Sequence, residues 1–341
     1  MPRSLYTAPP RTAKVIAMPK TRLTFASGLY DRMQPLYTGE VKPEGFDLDF
    51  RVVEWSREIF DRMAGRQEFD AAEFSSSEMI SRLSAGQCPF VAIPVFPSRM
   101  FRHGFITINR RKGIDRPKDL EGRRIGTPLY TQTAAIWLRG QLEHDYGVDL
   151  SGVTWVQGAI NAAGAHGDPS VLPPVRRARI EINESGKSLS ALLEEGKIDA
   201  ILGSNIPDAL GRNPDVQRLF PDFHQVERDY YRRTRIFPIM HLVAIRRDVY
   251  EANPKVAASL YRALEESKNR ALSRMKHLGA LRYMLPWLPE YLDEIDEVFS
   301  GDPWPYGIEP NRPTLQALVT YMAEQGIIAR PPAIEDVFVR V

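Results

Sequence analysis

Cysteine is almost missing from this sequence: Cys88 is the only one in 341 residues. A lone cysteine forms no internal disulfide and excludes zinc sites built on cysteine pairs. Its neighbours Pro89, Phe90 and Val91 mark a buried, inert thiol rather than a nucleophile. A surplus of charge is missing too, with a net of +2. The short basic runs, such as Arg110-Arg111-Lys112 and Arg232-Arg233, lack an aromatic stacking pattern and read as solvated faces. We therefore expect no nucleic-acid partner. No segment approaches a membrane span. The only apolar run in Met1 to Lys20 is Val15-Ile16-Ala17-Met18, short of the ~7–15 residues of a secretory signal. The expectation is a cytoplasmic protein with no membrane partner. There is no Gly-rich phosphate loop, no Gly-x-Ser-x-Gly elbow, and no His-x-His or Glu-x-x-His pair.

What is present is one structural idea stated twice. Phe60 to Gly65 leads into Phe69-Asp70-Ala71-Ala72-Glu73-Phe74-Ser75-Ser76. Ser190 to Gly196 leads into Ile198-Asp199-Ala200-Ile201-Leu202-Gly203-Ser204-Asn205. Each copy reads as a helix stopped by Gly, a short buried strand, and a polar loop at the strand's carboxyl end. Two such units imply two α/β lobes, and open α/β sheets bind ligands beyond the carboxyl ends of their strands. The segment Ile236 to Ile245 reads as a strand returning to the first lobe, with the helical remainder packing there. The plan is a two-lobed type II periplasmic-binding-protein fold hinged on two crossover segments. Its expected bounds are an arm over 1–21, a first lobe over 22–106 and 238–341, and a second lobe over 107–237. Ala162 to Pro174 reads as an irregular insertion.

The residues with chemistry cluster at the loops and crossovers. Pro94-Val95-Phe96-Pro97-Ser98-Arg99-Met100-Phe101-Arg102-His103 puts two guanidiniums and an imidazole at the hinge. Arginine's planar fork suits carboxylates, and histidine exchanges protons near neutral pH. Ion pairing and plain hinge packing are the alternatives. In Ser75-Ser76-Ser77-Glu78, Ser75 with Glu78 fits a capping box, and the same helix start is an anion site. Thr127 to Thr133 plays that part in the other lobe, with Tyr130 placed to stack on a ring. Asp31 and Arg32 follow the first strand and reach the cleft or pair with each other. His241 lies in the return strand as a core residue or a cleft residue. His144, His166, His224 and His277 read as surface residues. A metal site from Glu73, His103 and His241 is left open, with nothing local demanding it.

Five segments carry a resemblance: Phe69–Ser77, Pro94–His103, Gly126–Thr133, Ile198–Asn205 and Asp302–Asn311. Together they resemble the 4,5-dihydroxyphthalate decarboxylase family from about Leu23 to Ile328. The resemblance implies a cytoplasmic enzyme that removes one carboxylate from a hydroxylated phthalate without an organic cofactor, leaving protocatechuate. Such chemistry needs a proton donor over the ring and cations for the carboxylates. The expected roles are His103 as donor, with Arg99 and Arg102 on the carboxylates. Ser76, Thr131 and Thr133 would orient them, and Asp31 or His241 would take the phenolic proton. Arg32, Glu73, Ser75, Ser77, Tyr130, Gln132 and Asn205 complete the expected lining. The expected partners are a small aromatic carboxylate and further copies of the chain. The competing class is a non-catalytic solute receptor. A pyrimidine-forming synthase ranks last, because it needs a His- and Cys-rich segment that Cys88 alone does not supply.

Overall fold

The computed structural model describes residues 21–167 and 172–341. The expected arm, apart from Thr21, and residues 168–171 of the insertion lie outside the described residues. Among the described residues eleven strands form two sheets. The first takes β1 (Thr21–Ser27), β2 (Phe46–Val52), β3 (Ala71–Ser75) and β4 (Phe90–Arg99). The second takes β5 (Ile106–Asn109), β6 (Arg124–Thr127), β7 (Thr154–Gln157), β8 (Ile180–Ile182), β9 (Ala200–Leu202) and β10 (Val216–Arg218). β11 (Ile239–Arg246) then returns to the first sheet, antiparallel between β3 and β4. The orders are β2-β1-β3-β11-β4 and β10-β5-β9-β6-β7-β8. Thr21 already pairs with Phe46, so it belongs to the first sheet rather than the arm. Ile106 pairs with Leu202, so the first crossover closes just before that residue.

The repeated units become β3 and β9, both fully buried, as strands covered on two faces must be. Their helices end differently. Gly196 takes the left-handed conformation expected of a helix stop, with φ +70°. Gly65 does not, because the helix Ser56–Arg66 runs past it and Gln67 takes φ 51° instead.

The two crossovers run side by side. Met100 N–H donates to Pro238 O at 3.1 Å, and Phe101 stacks on Phe237 with centroids 4.5 Å apart. The C-terminal helices do not pack on the first lobe alone, as expected, but reach across. Tyr321 of the helix Arg312–Glu324 packs edge-on against Trp137 of the helix Thr133–Tyr146 in the second lobe. Gly140 makes this possible: a Cβ there would sit 2.1 Å from the Tyr321 ring. Arg139 Nε donates to Gln325 Oε1 at 2.9 Å in the same contact. The sequence pattern showed that these helices had an apolar face without showing which lobe it would meet.

Candidate active site

The loops at the carboxyl ends of β2, β3, β6 and β9 converge on one cavity of about 260 Å³ between the sheets. That is near the small end of ligand pockets, ~300–1,000 Å³, and suits a single ring better than a nucleotide. The first lobe contributes Trp55, Arg57, Phe60, Ser75, Ser98 and His241. The second contributes Leu129, the run Thr131 to Ala134, His166, Ser204 and Asn205, and the first crossover contributes Arg102.

His241 is aimed by its strand and by a buried acid. β11 is irregular on both sides of it, with register shifts against β4. Its Nδ1 meets Glu73 Oε1 at 2.5 Å, and Phe60 packs edge-on against the ring at 4.8 Å. Glu73 is wholly buried in β3 and also accepts from Ser27 Oγ at 2.8 Å and Tyr30 OH at 3.0 Å. Burial pushes its carboxyl upward, but the bond and charge of His241, with Ser27 and Tyr30, outweigh burial and hold it below its usual range. An ionised Glu73 accepts only, so Nδ1 carries the proton of that bond and Nε2 is left for chemistry in the cavity.

Arg102 supplies the positive charge. It is buried, and its Nη1 donates to Ser204 O at 3.3 Å. Nε has no hydrogen-bond partner, and no carboxylate among the described residues lies within ion-pairing distance. Burial lowers its pKa to about 10, so it remains cationic at neutral pH. Arg57 also lines the cavity, but Asp61 at 2.7 Å and Glu78 at 3.3 Å already match its charge. A buried cation without a counterion is costly, and an incoming carboxylate removes that cost.

Hydroxyls join the lobes beside it. Thr133 Oγ1 donates to Ser77 Oγ at 2.9 Å, and Ser77 Oγ donates to Thr131 O at 2.9 Å. Ser75 caps the helix Ser76–Ser84 and accepts from Glu78 N at 3.4 Å. The helix Thr133–Tyr146 starts opposite, with Gln132 rather than a threonine at its cap. Two helix starts thus face one space, and the positive ends of their dipoles favour an anion.

Of the expected residues, Arg102, His241, Ser75, Thr131, Gln132, Thr133 and Asn205 come together at the cavity. The others do not line it. Glu73 stands behind His241, and Ser77 ties the lobes. Ser76 is buried with an unpartnered hydroxyl, and Tyr130 lies under the Arg139 guanidinium at 3.9 Å. Arg99 is spent on Pro305 O and Asn311 Oδ1, inside the Asp302–Asn311 segment. Asp31 and Arg32 pair with each other at 3.1 Å, and Arg32 stacks on Trp304.

His103 is the main correction. Its ring lies edge-on to Tyr146, Phe220 and Tyr230, buried, with neither nitrogen hydrogen-bonded. Burial, with Arg233 nearby, lowers its pKa to about 4, so it is neutral at pH 7 and turned into an aromatic box. Proximity in sequence to Arg102 hid this, since consecutive side chains at the crossover leave in different directions.

Sequence reasoning missed Arg57, Phe60, Ser98, His166 and Ser204 as lining residues. Arg57 had a signal, because it follows β2 at the same sheet edge as the Ser75 loop. His166, expected at the surface, reaches Gln132 Nε2 at 3.2 Å from within the irregular insertion, where no periodicity marks it. Burial, then Arg57, hold its pKa below the usual value. Among the described residues no group of three or more His, Cys, Asp or Glu side chains is placed to hold a metal ion, and His103 does not join Glu73 and His241.

Next to His103, Glu227 accepts from Gly104 N–H at 3.2 Å. Burial raises its pKa to about 7, against the backbone N–H groups of Gly104 and His103 and the charges of Arg102 and Arg218. A carboxyl whose folded pKa is raised favours folding below its unfolded value, and that benefit is lost as pH rises toward about 7. Glu227→Gln keeps the acceptor for Gly104. It should equal wild type in urea unfolding at pH 4 and exceed it at pH 8 by about 3 kcal/mol. A constant difference across that range would refute the assignment.

A two-lobed α/β frame, with a carboxylate-held imidazole and a buried guanidinium in its cleft, defines a solute-binding-protein fold. In fold the chain is similar to the alkanesulfonate-binding protein from Xanthomonas axonopodis pv. citri bound to MOPS. There the TM-score is 0.52 and identity 12%, over 94% of this chain and 98% of that one. It is likewise similar to the periplasmic aliphatic sulphonate binding protein from Escherichia coli, with TM-score 0.51 and 14% identity, over 94% and 92% of the two chains. No family model matches the sequence. Curated relatives are much nearer in sequence. The 4,5-dihydroxyphthalate decarboxylase of Comamonas testosteroni is 34% identical over 314 residues, 92% of this chain and 94% of that protein. That of Pseudomonas putida is 38% identical over 218 residues, 64% of this chain and 84% of that protein. The chain belongs to the 4,5-dihydroxyphthalate decarboxylase family.

Proposed function

We propose that this protein is a carboxy-lyase converting 4,5-dihydroxyphthalate to 3,4-dihydroxybenzoate (protocatechuate) and carbon dioxide. The observation that carries the reading is Arg102, a buried cation with no carboxylate among the described residues within ion-pairing distance, in one ring-sized cavity with the Glu73-held His241.

The ring carbon bearing the departing carboxylate lies para to a hydroxyl. As that hydroxyl gives up its proton to water, its oxygen feeds electron density to this carbon, which takes a proton from His241 Nε2. The carbon–carboxylate bond then breaks, its electron pair restores the aromatic ring, and carbon dioxide leaves. The oxygen regains a proton, so the reaction consumes one proton per carbon dioxide.

Charge decides which carboxylate Arg102 holds. The departing group becomes neutral, so a cation placed on it would stabilise the ground state more than the transition state. Arg102 therefore holds the retained carboxylate. The departing one sits toward His241 and the apolar Phe60 and Leu129. The chemistry draws on no organic cofactor. A cytoplasmic location belongs to the same reading; among the described residues no helix is long and apolar enough to cross a membrane.

Incubation of the purified protein with 4,5-dihydroxyphthalate should release carbon dioxide and protocatechuate in equal amounts. Phthalate, which lacks the hydroxyls, should compete for the site without being turned over, because nothing feeds its ring. Binding of the dihydroxy acid without carbon dioxide release would instead make the protein a receptor.

A further inference from the structure

Among the described residues that line the reaction cavity, four side chains are ionisable: Arg57, Arg102, His166 and His241. Decarboxylation moves two protons, one onto the ring carbon and one off the para hydroxyl. His241 serves the first. A guanidinium keeps its proton in a protein and has no lone pair to accept another. That leaves His166, which the mechanism has not used.

Its place in the fold suits the second proton. His166 lies in Gly164-Ala165-His166-Gly167, after β7, and enters the cavity from the second lobe. His241 enters from the first, on β11. Gly167, at φ +107°, lets this loop close on the first lobe, since a Cβ there would lie 2.8 Å from Arg57 Cγ. The carbon that gains a proton and the hydroxyl that loses one are para, at opposite ends of the ring. Imidazoles on opposite lobes match that separation.

Gln132 supports either protonation state. Its Nε2 lies 3.2 Å from His166 Nε2 and 3.2 Å from Ser204 Oγ, while its Oε1 is buried without a hydrogen-bond partner. An amide has a donor end and an acceptor end, so by rotating it bonds the neutral ring or the imidazolium. The charged groups facing His166 are Arg57 and Asp61, both on the first-lobe helix Ser56–Arg66. Burial, then Arg57, oppose its protonation and outweigh Asp61, so the ring is neutral and able to accept at pH 7.

We propose, resting on the function proposed above, that His166 receives the phenolic proton through the water that takes it first. The hydroxyl O–H bond breaks, the water passes a proton to the imidazole, and an oxygen electron pair moves into the ring. Once carbon dioxide has left, the imidazolium returns its proton to the oxygen. His166 thus ends neutral, and the proton consumed enters through His241.

Steady-state kinetics of full-length wild type and His166→Gln, from acid to alkaline pH, test this. On 4,5-dihydroxyphthalate the variant should turn over ~10²–10⁴ more slowly, with a Michaelis constant close to wild type. Wild-type turnover should fall as pH drops through and below ~6.5, and the variant should lack that acid limb. A second readout needs no turnover. In 4-hydroxy-5-nitrophthalate the nitro group acidifies the adjacent hydroxyl, and its ionised form absorbs visible light. Bound to wild type, that absorbance should appear at a lower pH than when bound to the variant. A merely structural role leaves it unmoved. Full turnover by the variant with the acid limb retained, or the same ionisation pH on both proteins, overturns the inference while wild-type carbon dioxide release leaves the proposed function standing. Wild type that releases no carbon dioxide overturns both.

Discussion

His241→Ala is expected to lower turnover of 4,5-dihydroxyphthalate by ~10²–10⁴, the usual worth of a positioned general acid. Binding should change far less, since the proposal puts the carboxylate contacts on Arg102 and the helix starts rather than on the imidazole. The Michaelis constant and turnover number, measured separately, check this split. Glu73→Gln should lower turnover in the same direction. A neutral amide still reaches Nδ1, but it no longer stabilises an imidazolium with a full negative charge. His103→Phe is the control. It fills the same aromatic box without two orphaned nitrogens, so turnover should stay close to wild type. Loss of activity in folded His103→Phe, with His241→Ala still active, would return the donor role to His103.

Arg102→Met is expected to raise the Michaelis constant by ~10–100-fold, with a smaller effect on turnover. The figure follows from a charge-assisted hydrogen bond worth ~1.5–3 kcal/mol, at ~1.4 kcal/mol per tenfold. Methionine keeps the buried bulk against Phe105 and removes the charge. Because an unpaired buried cation disappears, the variant should unfold at a urea concentration no lower than wild type. A substrate analogue with a single carboxylate provides the second readout. If Arg102 holds the retained group, 3,4-dihydroxybenzoate, the product, should also bind the variant ~10–100-fold more weakly. Unchanged product binding would move Arg102 to the departing carboxylate. That would contradict the charge argument, since a cation there loses its partner as carbon dioxide forms.

Much of this was legible in the residues. The two Asp-Ala units located β3 and β9, because a short apolar run between a helix and a polar loop is what a buried parallel strand requires. The loops after them, with Ser75 and Asn205, were placed at the cleft by the same rule, and Thr131 to Thr133 by the matching position in the second lobe. Arg102 was found because few residue types suit a carboxylate. His241 was read as a core or cleft residue, and strand alternation alone does not separate these.

Tertiary structure decided the rest. Local sequence determined that the chain has two α/β lobes, where their loops lie, and which side chains are able to bind acids or move protons. It did not determine direction. Arg99, Arg102 and His103 follow one another within five residues, yet one is tied to Asn311, one faces the cavity and one enters an aromatic box. The partners that make this choice come from residues more than a hundred positions away, such as Glu73 beside His241 and Asn311 beside Arg99. An ionisable side chain acquires its role from whichever charge and burial the folded chain brings to it, and those are long-range quantities that spacing along the chain does not carry.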